Sequence, residues 1–291
     1  MHRSLRRTVF SALAIIPAAG LLIGLGTAAH ASTHVAATSS AATAANAAQA
    51  KANAIAALKG LQVGFHTQTH PVGSQIRPDT GTTTQVTSTN WSGYADLGTT
   101  FTRVASSWTE PTPSCSGSSE QLAAFWVGID GFSSSSVEQD GTLIECYAGG
   151  TYQYTWWEMY PTNAIQVVGT SLAAGDHITS VVSRSGSSYT LTVTDSTHTA
   201  NSFSRTESCT SCSNNSAEWI AEAPSSSSGV LPLAKFSTWT NSSSSVTGAS
   251  LGTGTISLYN NDEITMTPPL KAQPSALTSG GATFTVTWKH A

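Results

Sequence analysis

The stretch that decides the fold is residues 125–161, FWVGIDGFSSSSVEQDGTLIECYAGGTYQYTWWEMYP. It predicts three strands joined by two turns, the first over residues 125–130 and the last over residues 151–160. Because side chains alternate between the two faces of a strand, the last strand places four aromatic rings and one carboxylate on a single face: Tyr152, Tyr154, Trp156, Glu158 and Tyr160. Such a face fits either a core whose glutamate reaches the rim or a substrate groove.

Turn residues separate short strand patterns through the rest of the chain. From residue 90 onward these patterns recur every eight to fifteen residues, and no convincing helical period appears after residue 60. This spacing predicts an all-β fold, an antiparallel β-sandwich of two sheets. Residues 256–258 are predicted to be one of its strands, and the serine run at residues 242–245 is predicted to be a surface loop.

The first thirty-one residues are predicted to be a secretory signal peptide. Three arginines precede an apolar run over residues 9–25, and Ala29-His30-Ala31 is a small-x-small cleavage site. We therefore expect a secreted, extracellular protein with no membrane segment after signal cleavage. Residues 32–88 contain an Ala-rich candidate helix and no strand-like alternation, which fits either a linker or a prosegment. Residues 89–291 form the predicted functional domain.

Charge separates the two interpretations of residues 32–88. From residue 89 onward six basic residues stand against fifteen acidic ones, a net charge of −9, whereas residues 32–88 carry +2. Opposite signs favour an inhibitory prosegment that lies on an acidic cleft, with Lys51 or Lys59 near its carboxylates. The acidic surface argues against a nucleic-acid partner, which requires basic patches, and it suits a protein that works in acid. We expect a monomer.

The four cysteines all follow residue 88. After a secretory signal an even number implies disulfides, and four cysteines allow three connectivities. We predict Cys115–Cys146 and Cys209–Cys212. A zinc site is the alternative for the Cys-x-x-Cys spacing, but the chain has no second Cys or His pair at a suitable separation, so no metal is predicted.

Carboxylates are the best candidates for chemistry. The chain has no His-Glu-x-x-His and no phosphate-binding glycine loop. In residues 216–223, SAEWIAEA, one face carries Glu218, Ile220 and Glu222. These acids are either exposed at a rim or buried in a groove, where burial would raise a glutamate pKa toward values useful for proton transfer.

Five short motifs occur in a fixed order along the domain. They are Asn90-Trp91-Ser92-Gly93-Tyr94, Trp126-Val127-Gly128-Ile129-Asp130-Gly131, Gln139-Asp140-Gly141, Trp157-Glu158-Met159-Tyr160-Pro161 and Ala217-Glu218-Trp219-Ile220-Ala221-Glu222. Over about residues 89–291 this set resembles the glutamic peptidases, or eqolisins. The resemblance implies two curved, seven-stranded sheets of jelly-roll or lectin-like type with a groove on the concave face, synthesis as a preproenzyme, and activity in acid.

The resemblance also implies roles for individual residues. Glu222 would deprotonate a water molecule and pass the proton to the leaving nitrogen, while the Gln139 amide would stabilise the oxyanion. The supporting and groove residues would be Trp126, Asp130, Glu158, Trp91, Tyr154, Trp156 and Glu218. The expected substrates are proteins or peptides, the prosegment is the expected intramolecular inhibitor, and neither a cofactor nor a metal is required.

Two other function classes use the same features. A jelly-roll glycoside hydrolase could employ Glu158 and Glu222 as its paired carboxylates, and a non-catalytic sugar-binding sandwich could employ the aromatic groove. Both leave the order of the five motifs unexplained. Asn90-Trp91-Ser92 is also a glycosylation sequon, whose use the sequence leaves open.

Overall fold

The computed structural model describes residues 28–63 and 81–291. The predicted signal peptide lies outside these residues except for its last four positions, and residues 64–80 of the predicted prosegment also lie outside them. Helix α1 spans Ala28–Ala57. In the described part of the chain, no helix is both long and apolar enough to cross a membrane. The chain divides after Ala47, and the features below belong to the unit that begins at Ala48.

Strands account for about half of the described residues. In chain order they are β1 (Thr83–Ser88), β2 (Trp91–Leu97), β3 (Phe101–Thr109), β4 (Gln121–Asp130), β5 (Val137–Tyr147), β6 (Gly150–Tyr160), β7 (Asn163–Gly169), β8 (His177–Ser185), β9 (Ser188–Asp195), β10 (Phe203–Ser208), β11 (Ser216–Glu222), β12 (Ser225–Ser226), β13 (Gly229–Val230), β14 (Trp239–Gly248), β15 (Gly252–Gly254), β16 (Asn260–Met266), β17 (Ala272–Pro274) and β18 (Phe284–Trp288). Short 3-10 helices cover Thr199–Asn201, Ile256–Leu258 and Ser279–Gly281. The predicted all-β class is confirmed, whereas the strand predicted at residues 256–258 is wrong.

Apart from β12 and β13, which pair only with each other, the strands form two layers that share one strand. The groove sheet has the order β7-β6-β5-β4-β11-β2-β16-β17-β18, and β1 lies parallel to β16. The back sheet has the order β10-β9-β8-β3-β14, with β15 beside β14. β14 begins against β18 and continues against β3, with a register shift between Ser242 and Ser245.

The shared strand corrects two predictions. The sandwich itself is confirmed, but it does not consist of two separate seven-stranded sheets, because β14 runs from one sheet into the other. The serine run at residues 242–245 lies inside β14 rather than in a surface loop. The run contributes a hydrogen bond to the neighbouring strand instead of apolar contacts: Ser242 Oγ donates to the Ser107 carbonyl at 2.8 Å.

The main core lies between the two sheets. β11 turns Ala217, Trp219 and Ala221 toward it, and all three are fully buried. The Trp219 indole donates to the Ala105 carbonyl of the back sheet at 3.0 Å, so its polar edge is satisfied while its ring is buried. Burying a side chain of this kind contributes about 1.5–3 kcal/mol or more. The inward face of β11 therefore anchors the strand, and its opposite face is available for a site.

The outer face of the groove sheet carries a second apolar cluster. From the sheet it contains Trp91, Ala95, Leu122, Ala124, Trp126, Phe132, Leu143, Tyr154, Trp156, Ile220 and Ile264. Three residues that follow α1 complete it, namely Leu58, Leu61 and Val63, and each is at most 4% exposed. The segment over residues 54–63, which we call the covering segment, therefore lies on this face.

One strand lies where the sequence predicts none. β1 pairs with β16, with Thr83 opposite Asn261 and Ser88 opposite Met266. The expectation of no strand before residue 90 is wrong, because the pattern TTQVTS has one apolar residue, Val86, and is ordered by pairing with a neighbouring strand.

Both predicted disulfides are present. Cys115–Cys146 ties the connection after β3 to β5, and Cys209–Cys212 closes a short loop after β10. Because the cysteines of the Cys-x-x-Cys sequence are oxidised, they offer no thiolates to a zinc ion.

Candidate active site

Gln139 and Glu158 face each other across two neighbouring strands. In the register of β5 and β6 they are direct partners, so their side chains project side by side from the outer face of the groove sheet. The Gln139 Nε2 atom donates to Oε2 of Glu158 at 2.8 Å. Both residues are fully buried, so this amide and this carboxyl orient each other away from bulk water.

Glu222 ends β11 on the same face and is held by two neutral donors. The indole Nε1 of Trp126 on β4 donates to Oε2 at 2.9 Å. The amide Nδ2 of Asn90, immediately before β2, lies 3.4 Å from Oε1. The sequence did not predict this contact, although Asn90 opens the first of the five motifs. Asn90 is fully buried, so the folded site leaves no space for a glycan on the Asn90-Trp91-Ser92 sequon.

Two motif glycines make room for these side chains. Gly128 lies opposite Gln139, and a Cβ there would lie 2.9 Å from Trp126 Cζ3 and 3.2 Å from Gln139 Cβ. Gly141 lies opposite Trp126, and a Cβ there would lie 2.0 Å from the Phe125 carbonyl oxygen. Glycine in the Trp-Val-Gly-Ile-Asp-Gly and Gln-Asp-Gly motifs is therefore explained by close approach of neighbouring groups.

The Glu158 carboxyl has a strongly raised pKa. Burial raises the pKa of its carboxyl well above the usual range, the hydrogen bond from Gln139 lowers it in part, and the nearby Glu222 raises it again. Backbone groups of Ile165 and Val63 also lower it. The arrangement favours a protonated Glu158 beside a second carboxylate, a pairing that separates the roles of two acids in one site.

Asp130 is placed differently from Glu158 and Glu222. It has a φ of 71° at the end of β4, and its carboxylate accepts the backbone N–H groups of Asn214 at 2.8 Å and Asn215 at 2.9 Å. Asp130 therefore orders the loop that leads into β11, and through that strand it supports Glu222.

Glu218 lies with other acids rather than with the indole of Trp126. It is fully buried, and burial raises its pKa well above the usual range. The nearby Ser216 hydroxyl lowers the pKa in part, while the neighbouring Asp130 and Glu138 raise it. Glu218 and Glu222 thus share a face of β11, as predicted, but have different surroundings.

The aromatic residues predicted for the groove all belong to the apolar cluster on the outer face of the groove sheet, namely Trp91, Trp126, Tyr154 and Trp156. The rings of Trp91 and Trp126 meet edge to face, with centroids 5.0 Å apart. The Tyr154 hydroxyl donates to Oε2 of Glu145 at 2.9 Å. Burial raises the pKa of Glu145 to about 7 although this hydrogen bond opposes the shift. Trp156 is fully buried in the same cluster. Glu145 was not predicted, because nothing in its local pattern marks its tyrosine partner.

The covering segment contacts the candidate pair through its backbone. The carbonyl oxygen of Val63 accepts a hydrogen bond from Gln139 Nε2 at 2.7 Å. The predicted lysine contacts with carboxylates are wrong: the Lys51 ammonium donates to the carbonyl of Thr170, and Lys59 is exposed. Apolar burial and backbone hydrogen bonds hold the segment, since Leu58 and Val63 are almost completely buried.

Within the described ranges, two groups of side chains have the composition of a cation site. One contains Glu138 with the oxidised Cys209 and Cys212. The other contains Asp176, Asp195 and His198, where His198 Nδ1 lies 2.8 Å from Asp176. Neither group includes Gln139, Glu158 or Glu222, so the candidate site is built from amide, indole and carboxyl groups.

Comparisons with known proteins identify similar chains. The Peptidase A4 family matches residues 89–288. Aspergillopepsin-2 of Aspergillus niger is 30% identical over 197 residues, which are 59% of this chain and 70% of that protein. Two crystal structures of scytalido-glutamic peptidase, one with a transition state analog inhibitor and one with a peptide-based analog, have TM-scores of 0.58 at 25% and 24% identity. Each match covers 69% of this chain and 98% of the other.

Proposed function

Because the chain belongs to the Peptidase A4 family of glutamic-type endopeptidases, we propose that it hydrolyses peptide bonds in acid with Glu222 and Gln139 as the catalytic pair. Its substrates are proteins or peptides. Family membership also removes the reason to invoke a glycoside hydrolase or a sugar-binding sandwich, which rested on the same aromatic groove and paired acids.

The observation that carries the proposal is the contact between Gln139 and a peptide carbonyl. Its Nε2 atom lies 2.7 Å from the Val63 carbonyl oxygen, the distance at which an amide donor stabilises negative charge developing on that oxygen. The partner residue Glu158 holds the same Nε2 atom at 2.8 Å. Gln139 therefore does not need to reorganise when the carbonyl becomes tetrahedral.

Glu222 supplies the proton transfer. As a carboxylate it takes a proton from water, the water oxygen adds to the carbonyl carbon, and the proton then passes to the leaving nitrogen. The Trp126 indole and the Asn90 amide fix its orientation through Oε2 and Oε1. Because both donors are uncharged, they orient the carboxylate without neutralising it. No metal ion or nucleophilic side chain is needed for this sequence of steps.

Glu158 complements the pair as a protonated neighbour. Burial raises its pKa, so in acid it carries a proton and adds no negative charge beside Glu222. The neutral carboxyl accepts one N–H of Gln139 and leaves the other for the substrate carbonyl, whereas an ionised Glu158 would repel the developing oxyanion. Activity therefore falls as Glu158 ionises.

We also propose how the chain is exported, inhibited and assembled. Residues 1–31 direct secretion, residues 32–88 contain an inhibitory prosegment, and the extracellular product is a monomer. The Ala29-His30-Ala31 site supports the first part. The burial of Leu58, Leu61 and Val63 against the groove supports the second, because substrate cannot occupy a face that the chain itself covers.

The test is hydrolysis of acid-denatured casein from pH 2 to 8, with and without a chelator, by the secreted protein after acidification. We expect a maximum below about pH 5, where carboxyl groups titrate, no effect of the chelator, and loss of activity in Glu222→Gln. A maximum near neutral pH, or inhibition by the chelator, would contradict the proposed mechanism.

A further inference from the structure

The end of the covering segment adds itself to the edge of the groove as an extended peptide. The Gln62 N–H donates to the Ser225 carbonyl at 2.7 Å, and the Ser225 N–H donates to the Gln62 carbonyl at 2.9 Å. Such a bridge is antiparallel and is a common way for a protein to bind a peptide irrespective of its side chains. Ser225 follows Glu222 by three residues, so the bridge sets the register of the segment close to the candidate base.

The next residue places its peptide groups at the candidate pair. The Val63 carbonyl oxygen accepts a hydrogen bond from Gln139 Nε2 at 2.7 Å. The backbone of Val63 also lowers the pKa of the Glu158 carboxyl. Two residues earlier, Leu61 is 4% exposed, and Val63 is fully buried. Both side chains belong to the apolar cluster of the groove. Backbone and side chains are thus engaged together, as in a bound substrate.

We propose that the chain binds its own residues 58–63 in the register of a substrate and cuts itself on the carboxyl side of Val63. This inference rests on the function proposed above. A water oxygen bonds to the Val63 carbonyl carbon, and the bond from that carbon to the next nitrogen breaks. Glu222 carries the proton from water to the departing amine. The products are a carboxyl group on Val63 and a new chain that begins at Gly64.

The register also defines a substrate preference. The residue whose carbonyl meets Gln139 is a buried valine, and a buried leucine lies two positions before it. The intervening Gln62 is partly exposed, and its main chain makes the bridge to Ser225. Peptides with an apolar residue at the cleaved position and another two residues earlier therefore fit the groove, while the residue between them is free to vary.

The first test is the N-terminus of the acid-matured protein. The full chain is purified at neutral pH, acidified, and followed by N-terminal sequencing and intact mass. We expect a species that begins Gly64-Phe65-His66, and we expect Glu222→Gln alone to remain uncut. Active protein that reaches maturity without a species beginning at Gly64, or a Glu222→Gln chain cut at the same bond, would overturn the inference.

A matched pair of variants tests the pocket. Val63→Arg puts a permanent charge at a fully buried position, whereas Val168→Arg puts the same charge at a side chain that is 42% exposed on β7. We expect at least a tenfold slower self-cleavage for Val63→Arg, since a buried unpaired charge is strongly disfavoured, and a parental rate for Val168→Arg. Equal rates in the two variants would overturn the proposed register.

Synthetic peptides keep the test decisive if Val63→Arg is not secreted. A peptide of residues 54–63 is expected to inhibit matured enzyme competitively, and a peptide of residues 54–61 to inhibit at least about tenfold less, because it lacks the hydrogen bonds of Gln62 and Val63. Equal inhibition would overturn the inference. If casein is not hydrolysed at all, the proposed function fails. If casein is hydrolysed but the N-terminus is not Gly64, only the register fails.

Discussion

The Sγ atom of Cys212 lies 2.8 Å from Oε1 of Glu138. Cys212 is in a disulfide with Cys209 and carries no hydrogen, so a hydrogen bond at this contact requires the carboxyl to be the donor. Burial, and after it the neighbouring Asp130, raises the pKa of Glu138 to about 9. The contact and the raised pKa both favour a protonated Glu138 in the folded protein.

We expect the protein to be most stable in acid. Glu138 has a pKa near 4.5 when unfolded and about 9 when folded, so its contribution is complete below about pH 4.5 and is lost as pH rises toward 9. Within that window each such group lowers the free energy of unfolding by about 1.4 kcal/mol per pH unit. Thermal unfolding followed by circular dichroism should show a higher Tm at pH 4 than at pH 7.

Glu138→Gln is the matched variant for this effect. The amide can still donate toward the Cys212 sulfur but has no proton to lose. Its stability should fall less steeply than that of the parent between about pH 5 and pH 8. Parallel stability curves for the two proteins would mean that Glu138 does not contribute, and the remaining slope would report other buried acids such as Asp96 and Asp140, whose pKa values burial also raises.

Trp126→Phe should lower activity while preserving the fold. It removes the indole N–H that donates to Glu222 at 2.9 Å, and a hydrogen bond to a charged group contributes about 1.5–3 kcal/mol. We expect kcat/KM to fall about 10- to 100-fold. Trp239→Phe is the control, because the Trp239 indole nitrogen has no hydrogen-bond partner in the described structure and its ring lies in the core between the sheets. Equal losses in both variants would count against a positioning role for Trp126.

Two glutamates on β11 should respond differently to amide substitution. Glu222→Gln removes the proposed base and should cost about 10² or more in kcat, whereas Glu218→Gln should keep most of the activity because a protonated acid is replaced by a neutral isostere. Burial raises the pKa of Glu218, so at acid pH the protonated Glu218 side chain and the glutamine that replaces it are both neutral. Initial rates on casein check this. An inactive Glu218→Gln beside an active Glu222→Gln would reverse the assignment.

Glu158→Gln should change the alkaline limb of the rate profile. The raised pKa of Glu158 means that the protonated form persists above the range of an ordinary carboxyl and is lost as pH rises. Glutamine cannot ionise, so the variant should decline at higher pH than the parent, at a lower maximal rate. Glu110→Gln is the control, because burial raises the pKa of Glu110 to about 7 while its hydrogen bonds go to Trp108 and Gln153. If only Glu110→Gln moved the alkaline limb to higher pH, the limb would report the ionisation of Glu110 and not that of Glu158.

Substitution of the two motif glycines should separate activity from folding. In Gly128→Ala the new methyl group meets side-chain atoms of Trp126 and Gln139, which can move at the expense of their alignment. We expect a folded protein with at least about tenfold lower kcat, since small misplacements are costly. In Gly141→Ala the methyl group meets the Phe125 carbonyl, and a lower Tm or loss of secretion is expected. Normal activity in Gly128→Ala would contradict the proposed alignment.

Strand alternation correctly predicted which residues share a face of their strand. It placed Glu158 on one face with Tyr154 and Trp156, and Glu222 on one face with Glu218, because a period of two depends only on the local chain. The resemblance to the glutamic peptidases supplied Gln139 and Trp126. Alternation could not identify contacts that depend on the register between strands, such as those of Asn90 with Glu222 and of Tyr154 with Glu145. Those pairs become neighbours only when β2 meets β11 and β5 meets β6.

Net charge was a poorer guide to the covering segment. Opposite charges predicted that Lys51 or Lys59 would meet the acids, but acids that are buried and favour the protonated form offer little charge to attract a lysine. The contacts instead use the carbonyl of Val63 and the side chains of Leu58 and Leu61. Backbone contacts of this kind leave no mark in composition. β1 escaped prediction for a similar reason, since its order comes from its neighbour β16.

The covering segment is covalently part of the chain that it covers, and this has a consequence for dilution. A tethered ligand acts at an effective concentration on the order of millimolar, whatever the concentration of the protein. In the uncut chain the segment therefore stays on the groove however far the protein is diluted. After the proposed cleavage at Val63, the same residues would be a separate peptide, whose occupancy falls with every dilution. Dilution would then make the proposed activation one-way.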